Sequence, residues 1–145
     1  MRIFVALALL LGVPVIASSE GTPAEGSVWD GVYSQAQAKL GAKLFVEHCV
    51  ACHSTKPGEM SGHGPAPSVI GEDFAFRWLD SSVADLYDAI RQTMPEGAPN
   101  SLSPAQYAAL TAYIFELNGY PAGESALDAA NYDALANIWI EEKAD

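Results

Sequence analysis

The amino-acid sequence predicts an all-α fold with long loops. Apolar residues recur at helical spacing in several separate segments, helix-capping residues precede them, and the stretches between are rich in glycine and proline. Strand-like alternation is rare and no internal repeat appears.

Residues 1–17 read MRIFVALALLLGVPVIA. Arg2 precedes an apolar run that Gly12 and Pro14 break, and Val15-Ile16-Ala17 places small or aliphatic residues before Ser18. This is the anatomy of a secretory signal, and the run is too short for a comfortable membrane span. Residues 18–30 are mostly small and polar and are expected to form a flexible leader. Residues 34–49 carry Ala38, Leu40, Leu44, Phe45 and Cys49 at helical spacing. Residues 54–72 hold Pro57, Gly58, Gly62, Gly64, Pro65, Pro67 and Gly71, which predicts a long loop of the kind that wraps something.

Residues 73–79 allow a short helical turn. Ser82 is an expected N-cap for a helix bearing Val83, Leu86, Tyr87 and Ile90 that stops before Pro95. Ser103-Pro104-Ala105-Gln106 begins a further helix with a cap, a first-turn proline and a capping-box glutamine. That helix runs through Tyr107, Leu110, Tyr113, Ile114 and Leu117 to the Asn118-Gly119 stop, with Pro121 beyond. A weaker helical pattern covers residues 126–137. Residues 31–123 therefore form one domain, and 124–145 an acidic C-terminal extension. Three to five short helices enclose little apolar surface, so something apolar is expected in the middle.

Charge narrows the function classes. Seven Lys and Arg stand against 18 Asp and Glu, a formal charge of −11 and a pI near 4.4. Cleavage after Ala17 removes only the charge of Arg2 and takes the total to −12. That balance excludes the basic face a nucleic-acid binder needs and disfavours anionic membrane surfaces. The mature chain is expected to be exported and soluble, with no membrane insertion.

The chain has two cysteines, in Cys49-Val50-Ala51-Cys52-His53. Two thiols at this spacing on a helix end can add to the two vinyl groups of one haem, and the next imidazole then lies against the porphyrin face, where it can bind iron. A thioredoxin-like dithiol needs a βαβ context that is missing. A disulfide here closes too small a loop to stabilise much, and zinc lacks a second ligand pair at finger-like spacing. Covalent haem c, one per chain, is the expectation, with Cys49 and Cys52 as attachment points and His53 as an iron ligand.

For the sixth position Met94 is favoured. It lies in Thr93-Met94-Pro95, far enough past His53 for the chain to return on the opposite face, whereas Met60 follows too soon. His63 and His48 are the other candidates. A thioether ligand raises the reduction potential and closes the iron to oxygen, which suits an electron carrier and no enzyme.

With these residues in view, the sequence resembles a class I monohaem cytochrome c over residues 31–123. Gly41-Ala42-Lys43-Leu44-Phe45 before Cys49 is similar to the family's first helix, and Leu110 with Tyr113 to its last; the resemblance implies that the two helices cross where Gly41 admits an aromatic such as Tyr113. Gly64-Pro65 resembles the family's Gly-Pro, which implies that the Pro65 carbonyl accepts the second ring hydrogen of His53. Thr93-Met94-Pro95 resembles the axial-methionine loop. Asp30-Gly31-Val32-Tyr33, the stretch from Leu86 to Pro95, Ser101-Leu102-Ser103 and Asn118-Gly119-Tyr120-Pro121-Ala122-Gly123 look like bacterial periplasmic cytochromes that accept electrons from quinoprotein dehydrogenases.

The resemblance implies a cytochrome c fold with long loops around one covalently bound haem. The function implied is a periplasmic carrier cycling one haem c between Fe(III) and Fe(II), taking electrons from a dehydrogenase and passing them to a terminal oxidase or another cytochrome. Arg77 and Trp78 are candidates to contact a haem propionate, although an amphipathic helix end explains them equally well. Asp85, Asp88 and Glu96 are candidates for a docking face toward a basic redox partner, against the plainer reading of solvated surface. Two rivals remain at this level: a haem enzyme or gas sensor with a labile sixth ligand, and a fixed relay subunit of a dehydrogenase complex.

Overall fold

Two 14-residue helices, α1 (Gln35–His48) and α4 (Pro104–Leu117), cross at the centre of the molecule. The computed structural model describes residues 25–56 and 66–144; the expected signal at 1–17, most of the leader, Met60, His63 and Pro65 lie outside the described residues.

The crossing is set by Gly41. A Cβ at this position would stand 1.9 Å from the carbonyl oxygen of Ala109 and 2.8 Å from Cβ of Tyr113. Only a residue without a side chain lets the two backbones meet so closely. Phe45, one turn on, packs its ring edge-on to Tyr113 with centroids 5.5 Å apart. The implied Gly41–Tyr113 contact is therefore present, but the closest approach is to the α4 backbone. Ser34 caps α1 through its hydroxyl, which accepts from the Gln37 N–H.

Helix α4 is the buried spine. Tyr107, Ala108, Ala109, Leu110, Ala112, Ile114 and Phe115 are all buried, and Thr111 satisfies its hydroxyl by donating to the Tyr107 carbonyl. Its Ser103–Gln106 capping box forms as the sequence predicts, with Pro104 in the first turn. Helix α2 (Gly71–Trp78) begins two residues before the expected turn, with Glu72 and Asp73 favourably placed in its first turn. Helix α3 (Val83–Thr93) starts at the Ser82–Asp85 capping box and ends at Met94.

The chain beyond Gly123 behaves differently from the expected extension. Leu127, Leu135 and Ile140 are buried in the same core as α4. Helix α5 covers only Tyr132–Ala136 of the helical stretch read from sequence. The following strand β3 (Ile138–Ile140) lies between β1 (Gly26–Ser27), which it pairs in parallel, and β2 (Ser81–Ser82), which it pairs antiparallel. Gln37 clasps the Leu127 backbone, donating to its carbonyl at 2.9 Å and accepting from its N–H at 2.8 Å. Trp29 donates its indole N–H to the Glu141 carbonyl. Glu124, Asp128, Asp133 and Glu141 remain exposed while Leu127, Leu135 and Ile140 turn inward between them. Net acidity hid a buried stripe. Residues 26–30 are likewise ordered, with Val28 fully buried. No helix among the described residues is long and apolar enough to cross a membrane.

Candidate functional site

Helix α1 delivers the cysteines to the edge of a cleft. Its last turn unwinds at Cys49, and the N–H groups of Cys52 and His53 both donate to the Cys49 carbonyl, at 3.0 and 2.9 Å. This tight turn carries two half-buried thiols and then drops His53 inward, where it is buried. The His53 ring is oriented by the Pro67 carbonyl, 2.8 Å from Nδ1. A carbonyl only accepts, so Nδ1 carries the ring hydrogen and Nε2 keeps a lone pair for a metal. That partner is Pro67, two residues past the Pro65 named by resemblance. Spacing from His53 does not distinguish the two prolines; only the path of the loop does.

The cleft is walled mainly by apolar side chains, as cofactor pockets are. Phe45 and Leu110 come from the crossing helices, Phe74 from α2, Leu86 and Ile90 from α3, and Ile114 from further along α4. An adjoining outer cavity is bordered by Cys52, His48, Pro95 and Glu96. Cys49, His53, Pro67 and Met94 border both. The structure thus brings the predicted set of Cys49, Cys52, His53 and Met94 to one place. Arg77 and Trp78 line the main cleft from the end of α2. His48 borders only the outer cavity, with Nε2 3.7 Å from the Glu47 carboxylate.

Met94 sits where α3 ends. Its N–H donates to the Ile90 carbonyl at 2.8 Å, and its own carbonyl accepts from the Tyr107 hydroxyl at 2.9 Å. Burial, reinforced by the neighbouring Cys52, pushes the Cys49 thiol up to about 11. Dithiol oxidoreductases work through a lowered thiol pKa, so this shift runs against a redox pair. Apolar walls, paired thiols at the rim, an imidazole with a free Nε2 and a thioether on the same cleft fit a covalently held haem. Among the described residues, no group of three or more His, Cys, Asp or Glu side chains gathers as a metal cluster.

Two residues of the site were not singled out from sequence. In the sequence Tyr107 is one residue of an apolar helix face; the signal it carries is that a buried tyrosine needs a partner for its hydroxyl. Asn118, read only as a helix stop, ties the loop after Pro67 to α4: its amide donates to the carbonyls of Val69 and Ile114 and its oxygen accepts from the Gly71 N–H. Of the acids proposed for docking, Asp85 is engaged in the α3 cap and Asp88 binds Arg91 and the Tyr132 hydroxyl. Glu96 remains exposed at the mouth of the outer cavity.

A mainly helical shell around an apolar cleft with a CxxCH turn at its rim defines a monohaem c-type cytochrome domain. Residues 36–114, just over half of the chain, match the model of the family described as cytochrome c oxidase, cbb3-type, subunit III, and the chain belongs to this family. No curated protein and no solved structure matches the chain. Membership brings a covalently attached haem c, one per chain, and Cys49 and Cys52 have the spacing that attachment uses. The domain is one of haem-based electron transfer and works with redox partner proteins.

Proposed function

We propose that this protein is an exported, periplasmic single-electron carrier that takes electrons from a dehydrogenase and delivers them to an oxidase or a second cytochrome, without transforming a substrate itself. The bound haem supplies a one-electron couple at iron. Cys49 and Cys52 anchor it by thioether bonds. His53 would offer Nε2 to the iron, and the Pro67 carbonyl holds that ring in place. Met94 would offer its thioether to the same iron. Phe45, Phe74, Leu86, Leu110 and Ile114 keep water out, and Arg77 supplies a positive charge for a propionate. The observation that carries the reading is that Cys49, His53 and Met94 border the same apolar cleft, with Cys52 on the cavity that adjoins it.

The leader-like segment at residues 1–17 supports export. The acid excess, with Glu96 at the cavity mouth, supports a basic face on the partner and an encounter that weakens with salt. The test is expression with the native leader, cell fractionation, and reduction of the purified protein by periplasmic quinoprotein dehydrogenases across a range of ionic strength. Recovery in the periplasm and reduction that slows with salt are expected. Protein confined to the cytoplasm without haem, or a holoprotein that turns over peroxide or an organic substrate, overturns the reading.

A second reading is favoured by the family description, which names an oxidase subunit. In that case the chain is a fixed relay within a larger assembly. Gel filtration of a native extract separates the two: a freely migrating chain supports the carrier, and co-elution with a large redox complex supports the relay.

A further inference from the structure

Tyr107 lies in the first turns of α4 with its side chain fully buried. Its hydroxyl leaves the helix and donates to the carbonyl of Met94, 13 residues earlier, at 2.9 Å, and it accepts from the Leu102 N–H at 3.4 Å. The Met94 N–H is meanwhile committed to the Ile90 carbonyl. The Met94 backbone is thus tied to α3 through its nitrogen and to α4 through its oxygen. Its side chain borders the cleft that His53 also borders. Immediately beyond, the chain enters the exposed segment 96–100, which includes Gly97 at φ +82° and Asn100 at φ +58°. Without the Tyr107 hydroxyl, the last fixed point before that segment would be the α3 hydrogen bond alone.

We propose that Tyr107 is a positioning residue that keeps Met94 on the iron, acting through the methionine's backbone carbonyl and without touching the cofactor. The inference rests on the reading of Met94 as an axial ligand. Loss of the hydroxyl leaves a part-buried carbonyl unpaired, a penalty large enough to shift a local equilibrium about tenfold when it falls on the Met94 segment. Tyr33 provides a matched comparison. Its side chain is equally buried, and its hydroxyl donates to the Tyr120 carbonyl at 2.7 Å, in the part of the core packed around Phe115 and outside the cleft lining.

The experiment titrates the ferric holoproteins with imidazole, which competes with Met94, and records their thermal melts. Tyr107→Phe should bind imidazole about tenfold more tightly than wild type, whereas Tyr33→Phe should bind as wild type does while losing comparable thermal stability. If Tyr107→Phe melts lower but binds imidazole unchanged, or if both variants tighten alike, Tyr107 merely supports the fold and the proposal is wrong. Met94→Ala runs alongside. Much tighter imidazole binding in that variant is required, and its absence removes the axial assignment itself, separately from the role of Tyr107. Should Tyr107→Phe not accumulate as holoprotein, site-specific 3-fluorotyrosine at position 107 keeps the ring and strengthens the donor. It should weaken imidazole binding, and an unchanged affinity overturns the proposal.

Discussion

Replacing Gly41 by alanine tests the helix crossing that sets the geometry of the whole site. The new Cβ would stand 1.9 Å from the Ala109 carbonyl oxygen and 2.6 Å from its carbon, where a Cβ needs at least 3.0 Å. The obstacle is backbone within a helix, so no side chain can swing aside and α1 must move off α4 by about 1.1 Å. That movement loosens Phe45 against Tyr113 and shifts the turn carrying Cys49 relative to Leu110. Overpacking of this kind costs about 3 kcal/mol, at the upper end of its usual range because the neighbour is rigid. Alanine returns about 1 kcal/mol of helix propensity. The net loss is about 2 kcal/mol, which for a domain of this size lowers the Tm by roughly 8 °C. Thermal melts of wild-type and Gly41→Ala holoprotein, followed by far-ultraviolet circular dichroism, measure it. An unchanged or raised Tm would mean that propensity outweighs the clash, and the tight crossing would be refuted.

Three further outcomes follow from the same structure. Deleting residues 124–145 exposes the core that Leu127, Leu135 and Ile140 cover; at about 1.5–3 kcal/mol for each buried side chain, the loss rivals the whole stability of a small domain, and the truncated chain should fail to melt cooperatively. Burial raises the Tyr120 phenol above its ordinary value of 10, so its contribution is complete below pH 10. Above pH 10 the unfolded chain loses this proton first, and stability falls by up to about 1.4 kcal/mol per pH unit until the folded phenol ionises too. Tyr120→Phe should therefore flatten the alkaline limb of a denaturant-stability profile, and an unaltered limb would count against the burial argument. Changing both Cys49 and Cys52 to alanine should yield a chain that releases its haem on a denaturing gel, where wild type keeps it; retention by the double variant would place the covalent link elsewhere.

Much of the fold and of the site was legible because local chemistry decides it. Ser34, Ser82 and Ser103 cap helices through bonds three residues away, which a sequence displays directly. The Cys49–His53 turn is local in the same way. Pairings across long separations were not legible. Strand β3 is three residues long, too short for a periodicity, and it exists because two distant short strands flank it. Pro67 takes the role expected of Pro65 because the path of the loop, and not a motif, chooses the carbonyl that meets His53. Tyr107 and Asn118 each act through one hydrogen-bonding group on a buried or terminal helix position, where hydrophobic patterning carries no signal about the partner.

The central claim is that one covalent haem is held between His53 and Met94. The most direct measurement is the absorption spectrum of purified ferric and ferrous wild type and Met94→Ala, with carbon monoxide added to the ferrous forms. The account predicts a six-coordinate, low-spin wild type that shows the thioether–iron band when oxidised and does not bind carbon monoxide when reduced, and a Met94→Ala variant that loses the band and binds the gas. A wild type that takes up carbon monoxide freely, or a variant with the same spectrum as wild type, would contradict it.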